Sequence, residues 1–237
     1  MSTETTAQVE TLDLDASSLR ELNARLHEAA ADADGPRAFR VVNPHGRHSI
    51  AVGLDGGLDV EIEGHVGYYC AGMNQHATVR VHGNCGVGVA ENMMSGTVVV
   101  QGNASQAAGA TSRGGLLVVH GDASARCGIS MKGSDIVVRG SIGHMGAFMA
   151  QRGRLVVCGD AGDALGDSLY EAQLYVRGSV ASLGADCVEK ELREEHVGEL
   201  RELLERAGVT DVDPAEFRRY GSARQLYTFN VDDAGAY

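Results

Sequence analysis

The stretch GTVVVQG, residues 96–102, decides the fold, because it returns as GLLVVHG at 115–121 after 19 residues. Outward in both directions the frame holds. LDVEIEG ends at Gly64, ATVRVHG at Gly83, GTVVVQG at Gly102 and LLVVHG at Gly121; DIVVRG, RLVVCG and QLYVRG then end at Gly140, Gly159 and Gly178. Six successive intervals of 19 residues contain no insertion, which marks a repeat architecture. Four and two residues before each anchor glycine stand apolar residues, from Val60 and Ile62 through Val98 and Val100 to Leu174 and Val176. That alternation is a short strand with one buried face. Seven residues after each anchor the residue is small: Ala71, Ala90, Gly109, Gly128, Ala147, Gly166 and Ala185.

A short strand cannot bury its face alone, and 19 residues are too few for a βαβ unit. A propeller blade needs roughly 40–45 residues, and the Leu/Asn pattern of leucine-rich repeats is missing. A β-sandwich of hairpins would need Asn-Gly or Asp-Gly turns, which are also missing from Leu58 to Val188. The spacing therefore predicts an all-β chain, a single-stranded, right-handed parallel β-helix of about seven coils. Equivalent strands would stack at ~4.8 Å, giving a solenoid about 29 Å long. Gly64, Gly83, Gly102, Gly121, Gly140, Gly159 and Gly178 are then its structural corners, where φ > 0 or close stacking excludes a Cβ.

Composition agrees. The chain has 237 residues with 32 Gly, 3 Pro and no Trp; glycine at about twice its usual share of ~7%, without a Gly-X-Y period, is neither collagen nor low complexity. Of the 52 charged residues, 19 fall among the 131 from Leu58 to Val188, and the other 33 among the remaining 106. This divides the chain into an N-terminal helix-and-strand cap (1–57), the β-helix (58–188) and a C-terminal helical segment with a tail (189–237). The net charge of −12, without a basic patch, argues against nucleic acid. No apolar run of 18 residues suggests a membrane span, and MSTETTAQVETLDLD lacks the apolar core of a signal peptide. A cytoplasmic setting is expected.

In the flanks, Ser18-Leu-Arg-Glu21 reads as a capping box before Leu19, Leu22 and Leu26, with Gly35-Pro36 as the stop. Phe39–Val42 and Ser49–Val52 read as strands. An acidic amphipathic helix is expected over Glu189–Ala207, then a short helix capped by Asp213-Pro214, and a terminal Leu226-Tyr-Thr-Phe229. Such caps cover the open edges of a β-helix.

Candidate chemistry is sparse. Of Cys70, Cys85, Cys127, Cys158 and Cys187, only Cys70 and Cys127 share a position in the coil, and ~14 Å of stacking separates them. Disulfide, zinc and iron–sulfur roles are poorly supported, and buried free thiols are expected. His82 and His120 lie two coils apart, about 10 Å, too far to share a metal. Gly64-x-x-Gly67 lacks the helix and Lys of a phosphate loop. No catalytic, cofactor-binding or metal residue is assigned. Four coils place methionines nine to eleven residues past the anchor: Met73, Met93 and Met94, Met131, Met149. Such a stripe is either core filling or an adaptable apolar docking surface. The interface residues expected on the second reading are Tyr68, Tyr69, Met93, Met94, Met131, Lys132, His144 and Met149.

Gly159-x-x-Gly162-x-x-x-Gly166 resembles the GXGXG β-helix domain that closes the large subunit of glutamate synthase and recurs in a formylmethanofuran dehydrogenase subunit. Asn43-Pro-His-Gly-Arg-His48, Gly67-Tyr-Tyr-Cys-Ala-Gly-Met-Asn74, Glu91-Asn-Met-Met-Ser-Gly96, Ser124-Ala-Arg-Cys-Gly-Ile-Ser-Met-Lys-Gly133 and Gly166-Asp-Ser-Leu-Tyr-Glu171 narrow the likeness. Over about residues 40–237 the chain is similar to the small β-helix subunit of N-methylglutamate synthase and its GlxC-type relatives. The resemblance implies a non-catalytic scaffold in a hetero-oligomer, bridging a class II glutamine amidotransferase-like subunit and an FMN- and iron–sulfur-containing glutamate-synthase-like subunit. That assembly would join methylamine and glutamate, giving N-methylglutamate and ammonia; FMN and the iron–sulfur cluster would belong to the partner, with no cofactor in this chain. Two other readings stand beside it. One is a stand-alone β-helix enzyme on a carbohydrate-type substrate, using the acidic run Asp160, Asp163 and Asp167; the other is the formylmethanofuran dehydrogenase role.

Overall fold

The computed structural model describes residues 9–32, 35 and 37–224. Its 19-residue frame becomes a stack of strands. β1 (Val9–Asp13) and β2 (Ala38–Val42) lead into β3 (Asp59–Ile62), β4 (Thr78–Val81), β5 (Thr97–Val100), β6 (Leu116–Val119), β7 (Lys132–Val138), β8 (Arg152–Val157) and β9 (Gln173–Val176). Each pairs parallel with the next. From β3 to β9 the partners lie one repeat apart, as in Val60↔Val79 and Leu155↔Leu174, except where a register shift pairs Lys132 with Arg152. A second line of parallel bridges climbs the stack through Val66, Cys85, Ala104, Ala123, Ile142, Ala161 and Val180. Between the two lines lies the core, filled by the alternate Val, Ile and Leu of each strand. The parallel β-helix predicted by the repeat is the fold.

The anchor glycines are needed for space more than for conformation. Of the seven, only Gly64 has a positive φ. A Cβ on Gly83 would lie 2.5 Å from the carbonyl carbon of Gly64, and one on Gly159 would lie 2.7 Å from that of Gly140. Successive coils cross these corners too closely for any side chain.

Left-handed backbone is concentrated elsewhere. Five, seven and nine residues past each anchor from Gly64 to Gly159 the chain enters the αL region, as at Tyr69 (φ 60°), Ala71 (52°) and Met73 (56°), and again at Met145 (57°), Ala147 (55°) and Met149 (54°). Such φ values cost a non-glycine residue about 1 kcal/mol or more. Bonds between coils hold them: Tyr69 N–H donates to Val87 O at 2.8 Å, Met73 N–H to Glu91 O at 2.8 Å, and Ala90 N–H back to Cys70 O at 2.9 Å. Their backbone polar groups are thereby satisfied although no regular strand forms.

Three sequence expectations need correction. Ser49–Val52 is not a strand, because Ser49 and Ala51 have φ 56° and repeat the αL pattern. Accordingly the solenoid does not begin at residue 58. Residues 38–57 form a further coil, with Phe39 paired to Val60 and Ser49 N–H bonded to Tyr68 O. Its 21-residue strand offset, and Pro44 beneath Gly64, place it outside the 19-residue frame. Finally, the C-terminal helix starts at Glu194 rather than Glu189. The preceding Cys187–Lys190 forms strand β10, because β11 (Arg218–Ser222) inserts antiparallel between it and β9. The expected stop at Pro36 and the terminal Leu226–Phe229 segment lie outside the described residues.

Helix α1 (Leu19–Ala31) has the expected capping box, with Ser18 Oγ accepting from Glu21 N–H. It buries Leu22, Leu26 and Ala29 in the main core. Asn23 completes the cap: its amide donates to Ser49 O, and its carbonyl accepts from Ala51 N–H. These are groups of the αL segment that the interior coils satisfy on one another. Helix α2 (Glu194–Arg206) instead lies on the outside of the sheet, where Leu200, Leu203 and Leu204, with Phe217, cover Val118, Val137, Val156 and Tyr175. Asp213 caps a single 3-10 turn, Pro214–Glu216, through Ala215 N–H.

Candidate functional site

The residues expected at an interface separate into two groups. Met93 and Met131, ten residues past their anchors, are fully buried core residues, so they are removed from the docking surface. The reason is the alternation of the wall: αL residues nine past the anchor point outward, the next residue inward, and the eleventh outward again. Met94, Lys132, His144 and Met149 are exposed, and so is Tyr68. Tyr69 is half-buried; its ring lies over Gly72, where a Cβ would come within 2.6 Å, and its hydroxyl accepts from Asn92 Nδ2 at 3.2 Å.

Tyr68 and Val87 occupy equivalent positions on adjacent coils, while His144 lies three coils beyond Val87, about 14 Å along the stack. Tyr68 stacks on His48 with ring centroids 3.9 Å apart, and its N–H donates to His48 Nδ1. Tyr68, Met73, Val87, Met94 and Met149 are 42–52% exposed. By spacing alone Val87 is an ordinary repeat position. What marks it is a β-branched apolar residue where later coils have Gln106, Ala125, His144, Asp163 and Ser182.

A second feature was missed altogether. The residue after each anchor accepts a hydrogen bond from the backbone of its equivalent one coil on. Asn84 N–H donates to His65 Nδ1, Asn103 N–H to Asn84 Oδ1, Asp122 N–H to Asn103 Oδ1, and Ser141 N–H to Asp122 Oδ1. Asp160 N–H then donates to Ser141 Oγ and Ser179 N–H to Asp160 Oδ1. The signal was the short polar residue following each anchor glycine. Bonds between coils also account for the acidic run. Asp160 is held below the usual carboxylate range by the Ser179 N–H and hydroxyl, Asp163 accepts from Ser182 Oγ, and Asp167 from Ala185 N–H. These carboxylates hold coils together.

All five cysteines are buried free thiols. Burial pushes Cys70, Cys127 and Cys187 up to about 12 and Cys158 up to about 11, and raises Cys85 as well. A thiol in that state is no nucleophile at neutral pH. His82 pairs with Glu61, and His120 is lowered by burial and then by the Arg139 charge. Among the described residues no group of three or more His, Cys, Asp or Glu is arranged to hold a metal, and no helix is long and apolar enough to cross a membrane.

The chain is 64% identical over 226 residues to Protein GlxC of Rhizobium meliloti (strain 1021), a match covering 95% of this chain and 99% of that protein. The chain belongs to the GlxC family. No protein-family model matches it. Among solved structures, a chain of the formyltransferase/hydrolase complex (FhcABCD) from Methylorubrum extorquens, determined with methylofuran, superposes with a TM-score of 0.51 at 22% identity over 85% of each chain. That similarity shows that the two share the solenoid fold.

In this GlxC-family chain the C-terminal cap carries a built-in pH dependence. His196 is buried at the start of α2, where its Nδ1 accepts from Arg193 N–H. Burial, then the Arg219 and Arg193 charges, hold its pKa below the ordinary 6.5. The folded state favours the neutral ring, so this stability is present above about 6.5 and is lost as pH falls towards the depressed folded value. Thermal melts from pH 7.5 to 5 should show a falling midpoint, and His196→Gln should flatten that slope.

Proposed function

We infer that this chain is a non-catalytic, interface-forming subunit of a glutamate-synthase-like complex of the N-methylglutamate synthase kind. Its partners on this reading are a class II glutamine amidotransferase-like subunit and an FMN- and iron–sulfur-containing synthase subunit. Together they would convert methylamine and glutamate to N-methylglutamate and ammonia. The observation that carries the interface role is the row of half-exposed apolar side chains on the αL wall, Tyr68 and Val87 above all, with Met73 and Met94 on the same two coils. Their backbone is fixed by bonds between coils, so docking would cost little ordering entropy. Methionine beside aromatic surface suits an adaptable protein contact. GlxC-family membership and the sequence resemblance supply the kind of complex.

Co-expression with the products of adjacent genes tests the reading. The chain should co-purify in one complex, and alone should show no flavin absorbance. The double variant Tyr68→Asp, Val87→Asp should weaken assembly at least about tenfold, as expected for a desolvated apolar anchor. Its own unfolding free energy should stay within about 0.5 kcal/mol of wild type, since both sites are on the surface. A monodisperse chain that ignores those products, or an assembly indifferent to the double variant, would overturn it.

A further inference from the structure

Where the last coil meets the β10–β11 pair, a cavity of about 360 Å³ opens between the segment Tyr170–Gln173 and the two antiparallel strands. Its charge is unlike the rest of this acidic chain. Among the described residues, Lys190, Arg219 and Arg224 face one carboxylate, Glu171, a surplus of two positive charges. Arg224 and Glu171 approach to 3.4 Å. Lys190 and Arg219 are directly opposed in the β10–β11 register, and like charges so placed destabilise a sheet unless something neutralises them. Neither has a carboxylate partner among the described residues. The Arg219 guanidinium donates to Glu191 O at a long 3.5 Å and meets the Tyr175 hydroxyl, while its buried Nε has no acceptor. Gln173 accepts from Tyr175 through its side-chain carbonyl, which leaves its NH₂ group as a neutral donor on the cavity wall.

A half-buried arginine short of acceptors, an opposed lysine and a free amide donor make a receptor for a doubly charged oxyanion. We propose that this cavity binds a small dianion, a dicarboxylate or a phosphate monoester, with Lys190 and Arg219 as its charge partners and Gln173 as its neutral donor. The volume suits a small molecule. The ligand offsets the like-charge pair that the fold places there, so its binding stabilises the junction of the last coil with the C-terminal cap. This site stands independently of the assembly reading, since it lies at the C-terminal end of the solenoid and uses none of the interface residues.

The test titrates the full-length chain with inorganic phosphate and with succinate, using sodium chloride of matched ionic strength as the blank, and follows calorimetric heat and thermal midpoint. Saturable binding of either dianion is expected, with Lys190→Gln and Arg219→Gln each weakening it at least about tenfold, while Arg201→Gln on α2 leaves it unchanged. Phosphate binding without succinate binding assigns a phosphate ligand, and the reverse assigns a dicarboxylate. A response no greater than chloride gives, or binding that survives Lys190→Gln, overturns the proposal. Should Arg219→Gln fail to fold, Lys190→Gln decides alone.

Discussion

Gly83→Ala is expected to cost more than about 4 kcal/mol and to leave little folded protein, an effect reserved for changes that no relaxation can absorb. The added Cβ would lie 2.5 Å from both the carbonyl carbon and oxygen of Gly64, and 2.8 Å from His65 N. All three are backbone atoms. They cannot retreat, because Val66 N–H is bonded to Asn84 O on one side of the contact and Asn84 N–H to the His65 ring on the other. To admit one methyl group the two coils must part at this corner, opening the side-chain ladder and the neighbouring strand pair together. Close-packed interiors transmit such a displacement. Urea unfolding measures the loss. Gly198→Ala is the control: nothing lies within 4 Å of a Cβ there, inside helix α2, and relief of helix-interior glycine should stabilise the protein by about 0.5–1 kcal/mol. Equal stability of Gly83→Ala and wild type would refute the close stacking.

The second large effect separates adjacent methionines. Met93→Asp should abolish cooperative unfolding, because its side chain is completely buried in the apolar core and a carboxylate there has no partner. Even Met93→Ala should cost about 2–5 kcal/mol in cavity and lost packing. Met94→Asp, at a position 42% exposed, should change stability by no more than about 0.5 kcal/mol. Circular dichroism melts of the three variants check this. If Met93→Asp melts like wild type, the alternation assigned to the αL wall is wrong.

The fold was legible because the frame repeats in covalent sequence. Val98, Leu117 and Ile136 follow one another at one interval, and only stacking can use an interval that never slips. The docking of α2 was also written in the chain, although unread. Three residues before the anchor stand Glu61 and Arg80, then Val99, Val118, Val137, Val156 and Tyr175. An outward strand position that turns apolar half-way up the stack announces a cover over the upper coils. The first coil escaped because its strand offset is 21 residues and Pro44 replaces the anchor glycine. The strand expected at Ser49–Val52 failed because local propensity favours extended Ile and Val, whereas bonds to Tyr68 and Gly72 hold Ser49, Ala51 and Gly53 in αL.

The candidate surface was less legible than the fold. Sequence spacing gathers Met93, Met94, Met131 and Met149 into one stripe, but the wall divides them. Tyr69, Met73, Arg126 and Met149 adopt a conformation that no propensity scale assigns to them, and that conformation sets which side chains reach solvent. By itself, the sequence determined the period, the strand faces and the need for glycine at the corners, since each is a spacing along one covalent chain. Only the tertiary structure decided which methionines face outward, that the acidic run ties coils together, and that Lys190 meets Arg219. Each of those depends on hydrogen bonds or strand pairing between segments distant in sequence, which no local pattern specifies.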